Sequence, residues 1–319
     1  MLSAAELAVT EVPANSSSQQ IQEALNKLPN EGGEVRLSAG TYNISQPIVL
    51  RRDNQVLRGS GTATVLQLAD NADCPVVILG APLLPNRIPS HLRLSGVFID
   101  GNRFHQKSEM WKSAPDGALL NNNGIIAWGV KDAFIEDVTC CRCRSGGLVT
   151  AHGVRLLTVH DFKAFDNQYD GLACYQTENS QFTKLYLHDN LCAGISLDLD
   201  FNHNVLRDAQ LTNNDLGVFM RDSHDNVFQA LKIQHSRTHG VFMAQAGDQT
   251  ARGWRFVPGT QCTGNTFNGL VITDCGGKAV LVNDGSCTNN TVISAKFKGN
   301  AHGDLAEAAP NLMTMLSLP

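Results

Sequence analysis

Six glycines, Gly124, Gly147, Gly171, Gly194, Gly217 and Gly240, recur through the middle of the chain at intervals of 23 or 24 residues. A period of this length, held so closely, describes stacked units that bury their apolar sides only against one another. The residues that follow each glycine identify the unit. Leu148-Val149-Thr150, Leu172-Ala173-Cys174, Ile195-Ser196-Leu197 and Val218-Phe219-Met220 place apolar or small side chains one and three positions after the glycine. That alternation is a short strand with one face inward. A leucine-rich repeat has a similar period but requires a Leu-x-x-Leu-x-Leu pattern absent here, and propeller blades are about twice as long.

A second signature follows about half a coil later. Asn204, Asn226, Asn265 and Asn290 each open a strand-like run, such as Val227-Phe228 or Thr291-Val292, and asparagine suits the left-handed geometry of a tight turn. Strands joined by turns too short for helices predict an all-β fold, a parallel β-helix solenoid of roughly ten coils of about 23 residues. A further column, Cys143, Asn167, Asn190 and Asn213, lies four residues before each next glycine and is expected to stack as an amide ladder.

The 28 glycines and 17% charged residues in a chain of 319 suit such coils better than a helical protein. The whole chain, 1–319, reads as one domain: a helical cap over 16–30, coils over 34–300 and a tail over 301–319. Ile21, Ala24, Leu25 and Leu28 follow Ser16-Ser17-Ser18 at helical spacing, and a helix there would cover the open end of the core. Leu305, Ala308, Leu312, Met315 and Leu316 give the tail a loosely amphipathic pattern. A net charge of −5 argues against nucleic acid or an anionic membrane as partner. No apolar run is long enough to span a bilayer, and Met1 to Ser18 has no signal-peptide pattern. Cys140, Cys141, Cys143, Cys174 and Cys192 fall where small buried residues stack, so free thiols are expected there rather than disulfides or a metal site.

Ile21-Gln22-Glu23-Ala24-Leu25, Gly32-Gly33-Glu34-Val35-Arg36-Leu37-Ser38-Ala39-Gly40-Thr41-Tyr42 and Leu57-Arg58-Gly59-Ser60-Gly61 closely resemble the first coils of the pectate-lyase-like superfamily. The resemblance implies a right-handed parallel β-helix and a polysaccharide or oligosaccharide partner. It also implies a secreted or periplasmic location, although the chain itself leaves a cytoplasmic one open. It does not choose a reaction, because that superfamily holds lyases, uronate epimerases, glycoside hydrolases, tailspikes and non-catalytic solenoids. Gly194-Ile195-Ser196-Leu197-Asp198 is similar to an epimerase strand bearing an essential Asp. The Asp-Pro-His-Glu motif of those enzymes is missing, and Ala173-Cys174-Tyr175-Gln176 holds its place.

The fourth residue after each glycine faces outward and reads Trp128, Ala151, Tyr175, Asp198, Arg221 and Ala244. Adjacent coils lie about 4.8 Å apart, so Tyr175, Asp198 and Arg221 are expected to stack. His152, Gln176 and Asp222 stand one place further on, and Asp200 one beyond that. Tyr175, Asp198, Arg221, His152 and Asp222 are therefore the candidate catalytic residues. Two insertions, Asn102 to Asn123 with Arg103 and Trp111, and Gly247 to Gln261 with Arg252, Trp254 and Arg255, are expected to wall the same groove. With Trp128, Gln176 and Asp200 they supply candidate substrate contacts, Trp and Arg together suiting an acidic sugar.

In a lyase or C5-epimerase, Arg221, or Ca2+ held on Asp198 and Asp200, would offset the uronate charge while Tyr175 and His152 exchange protons. In a glycoside hydrolase or fructan-type transferase, two of Asp198, Asp200 and Asp222 would share the work. The reading requires no cofactor, with Ca2+ the candidate ion. A third class, a non-catalytic glycan-binding or tailspike-like solenoid, would use Ile126, Val149, Phe219 and Phe242 as an outward apolar patch, and leaves the oligomer open, a trimer included.

Overall fold

A computed structural model describes residues 8–82, 87–111, 120–245, 247–248, 255–256, 260–283, 285–305 and 313–316. It is a right-handed parallel β-helix of about 11 turns. Two large sheets run the length of the solenoid, one of 15 strands and one of 11. Every pairing between successive coils is parallel, and Ile195 stacks on Val218 as the repeat requires.

The 11-stranded sheet holds the glycine-led strands, among them Ile125–Trp128, Leu148–Ala151, Leu172–Glu178, Ala193–Asn202, Leu216–Arg221 and Val241–Ala244. Their inward residues Ile125, Leu148, Leu172, Ile195, Val218 and Val241 are fully buried. The repeating glycine has a steric cause. A Cβ on Gly171 would stand 2.9 Å from both the Gly194 carbonyl and the Asn190 amide nitrogen, so the next coil tolerates nothing larger. Glycine period and asparagine ladder are thus two sides of one contact.

The 15-stranded sheet turns a corner within each long strand. In Phe134–Cys141, Thr158–Phe165, Gln181–His188, Val205–Thr212 and Val227–Gln234, the fourth residue has a left-handed φ: Asp137, Asp161, Lys184, Asp208 and Ala230. Alternation shifts there, so residues three apart, such as Ile135 and Val138 or Phe182 and Leu185, are both buried. One strand thereby covers two faces of the core.

Two buried ladders tie the corners. In the first, Asn167 Nδ2 donates to Asn190 Oδ1 and Asn190 Nδ2 to Asn214 Oδ1, each at 2.9 Å, while the Cys143 amide donates to Asn167. The expected fourth member was Asn213. That residue instead takes the left-handed turn position, exposed, because this turn carries one residue fewer before its glycine. The second ladder runs Asn204, Asn226, Asn265, Asn290.

At the N-terminal end, Ser18–Lys27 forms a helix with a capping box between Ser17 and Gln20. Ile21, Ala24 and Leu25 join the core, which continues as one cluster to Ala295. The tail contributes a strand, Met313–Leu316, parallel to Thr291–Lys298. All nine cysteines are free. Burial pushes the Cys141 and Cys174 thiols up to about 12 and Cys140 and Cys143 well above their ordinary value, which makes them poor thiolate ligands. Among the described residues, no helix is long and apolar enough to cross a membrane.

Candidate functional site

The outer face of the glycine-led sheet carries a cleft of about 460 Å³ over the coils of Gly124, Gly147 and Gly171. Its cause lies in side-chain size. Ala151 sits between Trp128 and Tyr175 in the outward column, and Ala173 follows Ile126 and Val149 in the column beside it, so two large aromatics flank an apolar floor that dips at the two alanines. On one side the hairpin of Met110–Trp111 and Leu120–Asn121 leans over, anchored by Leu120 packing with Ile78 and Ile126. On the other, the turns before the glycines supply Ser145, Gly146, Tyr169 and Asp170. The Tyr169 hydroxyl donates to Glu109 Oε2 at 2.7 Å and pins the first insertion to the coils.

Two titratable groups share this cleft in complementary states. Burial lifts the Asp170 carboxyl to about 6, although Oδ1 accepts the Ala193 amide at 2.8 Å. Burial also raises the Tyr175 phenol, helped by the Asp170 and Asp198 carboxylates, with Arg221 opposing. Tyr175 therefore keeps its proton at neutral pH, whereas Asp170 gives up its own at about pH 6. Tyr175 was expected to exchange protons with His152, as base or as donor; its raised pKa suits the donor.

The remaining predicted residues divide by location. Trp128 lines the cleft, and the His152 ring lies on it, centroids 3.6 Å apart and 23° between planes. Burial lowers the pKa of that imidazole. Gln176 is exposed and its Oε1 accepts the His152 amide at 3.1 Å. Asp198 stacks on Tyr175 as expected, but it is buried and forms an ion pair with Arg221. Neither Asp198 nor Arg221 lines the cleft. Asp198 turns Oδ2 to Arg221 and Oδ1 to the Leu199 amide, and Asp200 lies exposed on a left-handed bulge. No group of three His, Cys, Asp or Glu side chains among the described residues is arranged to hold a metal ion. Asp222 is buried beside His224 Nε2 at 3.3 Å, its carboxyl raised by burial and by Asp200.

Arg103 is engaged elsewhere: its Nη2 meets Asp166 Oδ1 at 2.8 Å and its guanidinium lies over Phe104. Trp111 pairs through its backbone with Leu120, and Arg255 with Asp248; their side chains, with Arg252 and Trp254, lie outside the described residues. Phe219 and Phe242 stack with centroids 5.6 Å apart on the coils beyond the cleft.

The sequence reading passed over Tyr169 and Asp170. The signal was available one and two places before Gly171, where Ser145-Gly146 and Tyr169-Asp170 make columns of their own.

Several solved structures share the architecture. ORF18 of Geobacillus virus E2 superposes with a TM-score of 0.66 at 14% identity, over 93% of this chain and 58% of that one. This chain thus spans little more than half of that viral protein. The A-module of the Azotobacter vinelandii mannuronan C-5 epimerase AlgE6 gives 0.62 at 16% identity, over 95% of each chain. The catalytic unit of a GH87 α-1,3-glucanase from Streptomyces thermodiastaticus gives 0.57 at 13%, over 96% of this chain and 66% of that one. No curated protein sequence matches. At such identities the likeness concerns the fold alone. Residues 123–312 match the family described as right handed beta helix region, and with more than half its length so matched the chain belongs to that family.

Proposed function

We propose that the cleft binds a glycan and that Asp170 and Tyr175 move protons on it, in lyase or C5-epimerase chemistry at a uronate. The observation that carries this reading is the pairing of a carboxyl lifted to about 6 with a protonated phenol in one aromatic-walled cleft. The Trp128 and Tyr175 rings offer faces to sugar rings, and the shallow alanine floor leaves room for them. Asp170 as carboxylate takes the C5 proton beside the sugar carboxylate. Tyr175 then protonates either the departing O4, leaving a C4–C5 double bond, or the opposite face of C5. Removal of that proton requires the sugar's negative charge to be offset, and Arg221, paired with Asp198 beside Tyr175, is the candidate cation. Two similar folds bear the names mannuronan C-5 epimerase and α-1,3-glucanase, in keeping with a sugar polymer as substrate. A secreted or periplasmic setting accords with that substrate.

The test is incubation with a panel of polyuronates and neutral glycans in D2O. Absorbance of unsaturated products identifies the lyase, and deuterium at C5 without chain cleavage the epimerase. Reducing ends without unsaturation would replace the proposal with a hydrolase, and binding without turnover would replace it with a non-catalytic solenoid.

A further inference from the structure

A second hollow, of about 330 Å³, opens on the other sheet, and its lining is chemically unlike the cleft's. Arg58, Ser95, Glu136 and His160 follow one another in register across four coils. Gly96, Asp137 and Asp161 form the neighbouring corner column, and Gly59 and Gly61 make a wall. Glycine keeps that wall close: a Cβ on Gly59 would stand 2.3 Å from the Gly96 carbonyl, and one on Gly61 would reach 3.5 Å from Asp137 Oδ2.

Three carboxylates face one guanidinium here. Among the described residues, Glu136, Asp137 and Asp161 take no side-chain hydrogen bond and no ion pair. Backbone geometry does not require acids at the corner, since Lys184, Ala230 and Ser294 occupy the same left-handed position in other coils. A separate observation points to a ligand. Ser95 also lines the hollow, is 6% exposed, and its buried Oγ has no hydrogen-bond partner among the described residues, which is costly for a buried hydroxyl. The acids do not converge as a compact metal cage would. Glu136 and Asp137 lie on one coil and Asp161 on the next, about 4.8 Å away, so two N–H donors of one ligand can reach both coils.

We propose that this hollow binds an organic cation bearing primary ammonium groups, with Asp137 and Asp161 accepting its N–H donors and Ser95 Oγ accepting one more. A linear polyamine and an amino sugar share that chemistry. Calorimetric titration of the whole chain with spermidine, with a glucosamine oligomer and with CaCl2 distinguishes the sources. Saturable binding of one amine is expected, weakened about tenfold in Asp137→Asn/Asp161→Asn and about threefold in Ser95→Ala. Circular dichroism and the thermal midpoint verify that each variant is folded, and binding at the Trp128 cleft should be unchanged. Saturable binding of neither amine, equal affinity in the double variant, or binding of Ca2+ to the exclusion of amines would overturn the proposal.

Discussion

Trp128, Ala151 and Tyr175 occupy the same outward column as Asp198 and Arg221, yet the first three coils leave a cleft and the next two are closed. Register alone decides which side chains are neighbours; size and charge decide whether the space between them stays open. An alanine between two aromatics leaves a hollow, because nothing on the adjacent coil can fill it. An aspartate below an arginine draws it down until the carboxylate side chain is 5% exposed. The open half can hold a ligand, and the closed half holds the fold.

That contrast can be broken at three places. Asp170→Asn should have the largest effect, lowering kcat by about 100-fold or more without loss of fold. With Asp170 as the base, wild-type kcat/KM should rise with pH through about 6. The same group has a stability signature of opposite sense. Its folded pKa lies above the unfolded value, so the folded state binds the proton more tightly and wild-type stability falls as pH rises from about 4 to about 6. The thermal midpoint of Asp170→Asn should therefore exceed wild type above that window and converge with it below. A flat difference across this range would remove Asp170 from the role.

In the closed half, Asp198→Ala removes the carboxylate against which half-buried Arg221 sits. A loss of about 2 kcal/mol in denaturant unfolding is expected, below the range for fully buried pairs because Arg221 retains solvent contact. Glycan affinity at the cleft should be retained, and a large affinity loss would show that the two halves act together. The smallest effect belongs to Tyr169→Phe, which removes the hydrogen bond to Glu109. About 1 kcal/mol of stability should go, with a modest rise in KM from a less firmly held hairpin.

How far these features could be read from sequence depends on the local rule that governs them. Strand alternation after each glycine correctly placed Ile195 on Val218 and Asp198 beside Tyr175, since stacking propagates a known spacing from coil to coil. Asp170 lies in a turn, where no alternation applies, and its raised pKa comes from the burial that the folded coils impose. The enclosure of Asp198 by Arg221 was equally hidden, because an outward position can still be covered by its neighbour. Asn213 was expected in the ladder where Asn214 stands, a one-residue difference that only the path of the turn decides. His160 lines the acidic hollow through its register with Glu136, a place that the pattern after each glycine does not reach.

The second asparagine ladder crosses the second insertion without interruption. Asn226 Nδ2 meets Asn265 Oδ1 at 2.9 Å although 39 residues separate them along the chain, against 22 between Asn204 and Asn226. The amide spine is thus indifferent to how much polypeptide leaves and re-enters a coil between its rungs. For protein engineering, that makes the stretch between Ala244 and Cys262 a socket: foreign loops of different length can be exchanged there, and the recognition surface diversified, while the stacked asparagines hold the scaffold in register.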